Sequence, residues 1–100
     1  MTLKEKESFI INHYGVLPQL KYFYSEIFEL TEAIINQQWL ESEFHKEAIN
    51  EGREHIAEEI ADVQMMLNQF KEFYSVSDIV IDSTMNLKAN RQIERIKNNE

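Results

Sequence analysis

The fold is decided by residues 53–74, which read REHIAEEIADVQMMLNQFKEFY. Apolar side chains recur in this stretch at intervals of three or four residues, the spacing of one face of an α-helix. They are Ile56, Ile60, Val63, Leu67, Phe70 and Tyr74. Neither glycine nor proline interrupts the stretch. We therefore predict a helix from Arg53 to Tyr74.

Working outward from this helix, the rest of the chain divides into three further predicted helices. We expect them over residues 2–14, over residues 19–38, and from a turn at residues 75–78 towards residue 97. Thr2 and Glu5 have the spacing of a capping box, and Gly15 is suited to end the first helix. Residues 39–50 are predicted to be a linker with some helical content. The predicted fourth helix opens with β-branched residues, which favour strands. We still predict a helix there, because no second strand is predicted that could pair with them.

Composition supports one all-α domain over residues 1–100. The chain has 100 residues, only two glycines and one proline, which favours long uninterrupted helices. We therefore predict a four-helix bundle. Cysteine is absent, which excludes disulfides and thiolate metal sites. No apolar run is long enough to span a bilayer and no signal peptide is recognisable, so we expect a cytoplasmic protein without membrane contact.

The charge of the chain is strongly negative overall but unevenly distributed. A formal net charge of −8 disfavours direct binding to duplex DNA or RNA. From Asn86 to Lys97, the predicted fourth helix nevertheless carries four bases against one acid, Glu94. The bases are Lys88, Arg91, Arg95 and Lys97. They are equally compatible with complementing the helix dipole and with binding phosphate groups beside a metal site.

The second and third predicted helices carry the same acidic pattern. Glu26 and Glu29 are three residues apart in the second helix, and Glu59 and Asp62 are three residues apart in the third. Each pair lies on one side of an apolar stripe, because residues at this spacing are about 60° apart around a helix. If the stripes pack together, the four carboxylates converge at the edge of the contact. A cluster of this kind needs neutralisation, and carboxylate oxygens select Mg²⁺ or Mn²⁺.

The polar residues have two other interpretations. Glutamates beside an apolar stripe are ordinarily a solvated flank of the helix, and only the duplication in register with two stripes favours a metal site. A di-iron bundle would need histidines three residues after a glutamate. The residues three before His13, His45 and His55 are Ile10, Ser42 and Gly52, which disfavours that class.

Several short motifs resemble the MazG-like nucleoside triphosphate pyrophosphohydrolases, closest to their short phage- and prophage-type members. The resemblance extends from Tyr14 to about Ile96 and follows the family's order of elements. It is carried by Tyr14-Gly15-Val16-Leu17-Pro18-Gln19-Leu20, Ser25-Glu26-Ile27-Phe28-Glu29-Leu30, Ala33-Ile34, His55-Ile56-Ala57-Glu58-Glu59-Ile60-Ala61-Asp62-Val63 and Lys88-Ala89-Asn90-Arg91-Gln92.

The resemblance implies Mg²⁺-dependent hydrolysis of a (d)NTP to a monophosphate and pyrophosphate. It also implies a helical fold assembled as a homodimer or a dimer of dimers. The metal ligands and catalytic acids would be Glu26, Glu29, Glu59 and Asp62. The substrate-binding residues would be Lys88, Asn90 and Arg91. Two other functions stay open from the sequence: a non-catalytic nucleotide- or protein-binding module of the same fold, and a purely structural helical dimer.

Overall fold

A computed structural model describes residues 1–42 and 46–99 of the chain. Its four helices are α1 (Leu3–Tyr14), α2 (Val16–Ser42), α3 (Lys46–Phe73) and α4 (Asp78–Asn99). No strand occurs among the described residues, which confirms the all-α class and the helical opening of α4. In the same residues, no helix combines the length and the apolar character that crossing a bilayer requires.

The predicted ends of α1 are confirmed. Thr2 and Glu5 form a reciprocal capping box, and Gly15 follows the helix with φ = 88°, a value that only glycine adopts readily. The next helix, however, begins at Val16 rather than at the predicted Gln19. Pro18 therefore lies inside its first turn, where a backbone N–H has no helical partner and proline is tolerated.

The connection between α2 and α3 is shorter than the linker predicted for residues 39–50. Helix α2 continues to Ser42 and α3 already begins at Lys46, while residues 43–45 lie outside the described part. Two long-range interactions hold the extended ends together. The Gln37 side chain donates from Nε2 to the backbone oxygen of Ile49 at 3.0 Å, and Arg53 forms an ion pair with Glu41.

Helices α2 and α3 form an antiparallel hairpin. Near its open end, Gln19 donates from Nε2 to Oε1 of Gln69 at 2.7 Å, and the rings of Phe23 and Phe70 meet edge to face at 5.5 Å. Further along, Gln37 lies against Gly52. Helix α1 packs on α3, with Ile11 fully buried.

The face buried between α2 and α3 differs from the one predicted. The buried positions are mainly polar or small: Gln19, Glu26, Ala33, Gln37, Glu59, Met66 and Gln69. Members of the predicted apolar stripes, such as Ile27, Ile34, Ile60 and Leu67, are 39–51% exposed. Carboxylates therefore lie within the contact rather than at its edge. Other members of the stripes, such as Phe23 and Phe70, are partly covered within the same chain.

The direction of α4 is set by the turn that precedes it. Ser75 adopts φ = 53°, and the N–H of Val76 donates to the Lys71 carbonyl at 3.0 Å, a Schellman-type end for α3. Ser77 then caps α4, accepting from the N–H of Val80 at 3.2 Å. No α4 side chain is buried, and among the described residues no Cα atom of α4 lies within 8 Å of one in α1, α2 or α3.

Candidate metal centre and the adjoining cavity

Three glutamates converge where α2 and α3 pack against one another. Glu26 and Glu29 lie on adjacent turns of α2, and Glu59 approaches them from α3. Each contributes one carboxylate oxygen to a group whose members all lie within 4.8 Å of one another. Helical spacing explains the first two positions, because residues three apart lie on the same side of a helix. The antiparallel pairing of α2 and α3 brings the third glutamate, Glu59, to the same place.

Two of these carboxylates are buried with unsatisfied oxygens. Glu26 is 6% exposed and Glu59 is 8% exposed. The Oε2 atom of each has no hydrogen-bond partner in the part of the chain that the structure describes. Burial is the main cause that raises the pKa of both carboxyls, and the charges of neighbouring acids add to it. The folded chain thus holds two acids in a place that disfavours their charged form.

A divalent cation would neutralise the negative charge of these buried carboxylates. An unpaired buried carboxylate is costly, and a cation at the convergence point would supply both the missing charge and the missing ligand for each oxygen. The donors are all carboxylate oxygens, which favour hard ions such as Mg²⁺ or Mn²⁺ over zinc or copper. The residues present therefore fit the predicted metal.

Asp62, the fourth predicted ligand, stands beside this cluster rather than in it. It is exposed on α3 and lines a cavity together with Glu26. Its negative charge is the largest charge effect that raises the pKa of the Glu26 carboxyl. Asp62 thus lies near Glu26, but its own oxygens are not among the three that converge.

Tyr22 also belongs to the site, although the sequence motifs did not single it out. Its hydroxyl donates a hydrogen bond to the Glu26 carboxylate, which is the main cause that raises the pKa of Tyr22. The same bond partly counteracts the effect of burial on the pKa of Glu26. The signal was present in the sequence, since Tyr22 lies four residues before Glu26 and side chains at that spacing meet on a helix.

His55 is a further neighbour of the cluster. Its Nε2 lies 3.7 Å from Oε1 of Glu59, one helical turn away, and its Nδ1 lies 4.0 Å from Oε2 of Glu58. The charge of His55 lowers the pKa of the Glu59 carboxyl, but burial outweighs this effect. Because the His55 side chain is 56% exposed, the histidine borders the cluster from the solvent side.

A cavity of about 570 Å³ opens beside Glu26 and Asp62. Its size is within the usual range for small-molecule pockets. Its walls combine aromatic, thioether and amide side chains: Tyr14, Tyr22, Met65, Met66, Gln19 and Gln69. The two amides are buried and bonded to each other. The cavity therefore has a mixed aromatic, thioether and amide wall next to the acidic cluster.

The predicted phosphate-binding residues are not brought to the cluster within one chain. Lys88, Asn90 and Arg91 are exposed on α4. The two bases form no ion pair with any residue that the structure describes. Since α4 diverges from the other helices, the acidic and basic halves of the predicted site are separate in the isolated chain.

Comparisons with protein-family models, with curated proteins and with solved structures found no match to this chain. The MazG-like resemblance is therefore a prediction that rests on the short motifs alone.

Proposed function

We propose that the chain is a Mg²⁺-dependent nucleoside triphosphate pyrophosphohydrolase, which converts a (d)NTP and water to a monophosphate and pyrophosphate. The observation that carries the proposal is the pair of buried carboxylates, Glu26 and Glu59, whose Oε2 atoms have no partner among the described residues. Solvated helix flanks do not bury carboxylates in this way. The adjoining cavity supplies a place for the nucleoside next to the acids.

Each part of the site has a distinct role in this proposal. Glu26, Glu29 and Glu59 hold the metal, and Asp62 faces the cavity where a water molecule can be oriented towards the phosphate. When bound, Mg²⁺ supplies charge neutralisation for the polyphosphate and lowers the pKa of coordinated water. Tyr22 fixes the Glu26 carboxylate through its hydrogen bond. Phosphoryl transfer depends chiefly on such positioning and charge stabilisation, so no nucleophilic side chain is required.

The test is pyrophosphate release from a panel of canonical and modified (d)NTPs, with and without Mg²⁺. We expect Mg²⁺-dependent release from at least one nucleotide, and we expect Glu59→Gln and Asp62→Asn to abolish it. Thermal melts provide a readout without turnover. A ligand at about 100 times its Kd stabilises the folded state by about 2.7 kcal/mol, which is a shift of roughly 10–20 °C for a domain of this size.

Glu32→Gln is a matched control for these variants. Glu32 is exposed on α2 and lies outside the three-glutamate cluster, so the same chemical change should leave both the Mg²⁺ shift and turnover intact. A Mg²⁺ shift that survives Glu59→Gln would contradict the proposed metal site. Nucleotide binding without Mg²⁺-dependent turnover would instead identify the chain as a binding module.

A further inference from the structure

The polar atoms around the cavity beside Glu26 are mainly hydrogen-bond acceptors. Two of the lining residues, Glu26 and Asp62, are acids, and none of the described residues that line the cavity is a lysine, arginine or histidine. Tyr22 has a hydroxyl donor, but this donor is directed to the Glu26 carboxylate. The cavity therefore has a negative potential and more acceptors than free donors.

Two glutamines in the cavity wall hold each other in one orientation. Nε2 of Gln19 donates to Oε1 of Gln69 at 2.7 Å, and Nε2 of Gln69 lies 3.8 Å from the sulfur of Met66, which accepts weakly. If the Gln69 amide were turned over, its oxygen would face that sulfur, and neither atom could donate. Both glutamines are buried, with 8% of Gln19 and 3% of Gln69 exposed. Water therefore cannot easily replace these bonds.

The pairing leaves the amide oxygen of Gln19 unused. Because its nitrogen donates to Gln69, its Oε1 is free, and it accepts no hydrogen bond from the part of the chain that the structure describes. Turning the Gln19 amide over would break the 2.7 Å bond and bring two amide oxygens together. A ligand in the cavity therefore meets an acceptor that cannot easily become a donor.

An amino group on the base of a nucleotide matches this wall. Cytosine and adenine carry an exocyclic amine, a hydrogen-bond donor, where uracil, thymine and hypoxanthine carry a carbonyl oxygen. A keto base can still offer its ring N–H to Gln19. The carbonyl beside that N–H would then face the acceptors of the wall and lose its hydrogen bonds to water. Leaving such a group unpaired typically costs roughly ten- to a hundredfold in kcat/KM.

We propose that Gln19 makes the cavity selective for nucleotides whose base carries an amino group, cytosine or adenine, over those with a carbonyl oxygen at the same position. Gln19 contacts the base and determines specificity. Gln69 acts through Gln19 as a positioning residue, because it fixes which end of the Gln19 amide is available. This selectivity rests on the part of the proposed function that places the nucleoside in the cavity.

Two matched pairs of nucleotides test the selectivity. dCTP differs from dUTP, and dATP from dITP, only in whether an amino group or a carbonyl oxygen stands at one position of the ring. We expect the amino member of each pair that is hydrolysed to have the higher kcat/KM, by roughly ten- to a hundredfold. Equal values within the pairs, or a preference for the keto member, would overturn the proposal.

Substitutions at the two glutamines test their separate roles. Gln19→Leu should lower kcat/KM for the amino nucleotide and bring the ratio within a pair close to one. Gln69→Leu releases the Gln19 amide, which can then present its nitrogen to a carbonyl. We therefore expect kcat/KM for the keto nucleotide to rise, a gain that a merely damaged fold cannot produce. A ratio that Gln19→Leu leaves unchanged would refute the role of Gln19.

Gln64→Leu is the matched control for these two variants. Gln64 is exposed on α3, bonds to Asn68 and does not line this cavity. The same chemical change should therefore leave the ratio within each pair intact. A ratio that changes equally in Gln64→Leu and in Gln19→Leu would assign the effect to the helix rather than to the amide in the cavity.

Binding of the monophosphates separates this inference from the proposed function, because the reaction does not consume them. Calorimetry with dCMP against dUMP and with dAMP against dIMP, in Mg²⁺, should show tighter binding of the amino member. That preference in a protein that hydrolyses no triphosphate would support the selectivity and refute the enzyme. Hydrolysis with equal kcat/KM and equal binding within both pairs would support the enzyme and refute the selectivity.

Discussion

Replacing Gly52 by alanine tests how closely α2 and α3 approach each other beyond the metal cluster. A Cβ atom at Gly52 would lie 1.8 Å from Oε1 and 2.9 Å from Cδ of Gln37. The Gln37 side chain is 4% exposed, and its Nε2 donates to the Ile49 carbonyl. It can make room for the new methyl group only by leaving its buried position and breaking this bond.

The opposing contributions can be compared directly. Alanine in place of glycine inside a helix gains about 1 kcal/mol. Overpacking a buried contact costs about 1–3 kcal/mol, and the lost hydrogen bond costs about 0.5–1.5 kcal/mol. We therefore expect Gly52→Ala to destabilise the protein by about 1–3 kcal/mol. Each kcal/mol lowers the melting temperature by roughly 4–8 °C in a domain of this size.

A double-mutant cycle gives the sharper test. In a Gln37→Ala background the obstacle is gone, so Gly52→Ala should become stabilising by about 0.8–1 kcal/mol. The sign of the effect reverses between the two backgrounds. Asn50→Ala, at an exposed position of the same helix, is the control and should change stability little in either background. All variants are compared by urea unfolding at one protein concentration. Equal effects of Gly52→Ala in both backgrounds would refute the close contact.

Two further predictions concern pH and the turn before α4. Because burial raises the pKa of Glu26 and Glu59 above their unfolded values, the metal-free protein should become more stable as the pH falls from 7 to about 5, and Glu59→Gln should weaken this trend. The ion pair with a lysine lowers the pKa of Asp78, and this opposes the gain in stability only below about pH 4. A melting temperature that falls between pH 7 and 5 would contradict the reasoning. Ser75→Gly should stabilise the fold by about 0.5–1 kcal/mol, because glycine adopts φ = 53° without strain. Ser77→Gly removes the helix cap of α4 and should lower the stability by a few tenths of a kcal/mol. Stability changes of the same sign in the two variants would argue against a strained turn at Ser75.

The candidate site was only partly predictable from the sequence. The spacing of Glu26 and Glu29 is local, because any α-helix places residues three apart on one side, whatever it packs against. Glu59 joins them only because of the antiparallel register of α2 and α3. The duplicated acidic pattern indicated that acids from the two helices would converge. The hydrogen bond from Tyr22 was overlooked although its spacing is also local. The burial of two carboxylates was not predicted, because it depends on which faces of the helices meet.

The sequence by itself determined the four helices of this fold and the two ends of α1. Helix ends follow from interactions within a few residues, such as the Thr2–Glu5 capping box and the positive φ at Gly15, and these operate before any tertiary contact forms. The apolar periodicity of α3 and the scarcity of glycine and proline determined the all-α class for the same reason.

Only the tertiary structure decided which faces pack and where the last helix goes. Periodicity identifies an apolar stripe but not its partner, and in this chain the contact between α2 and α3 also buries polar side chains beside the stripes, such as Glu26, Gln37 and Glu59. Because Gly52 has no side chain, the Gln37 side chain fits between the two helices at that position. The direction of α4 depends on a turn at Ser75 and on one ion pair between Lys71 and Asp78. These are contacts between separate elements, so they leave no periodic signal in the sequence.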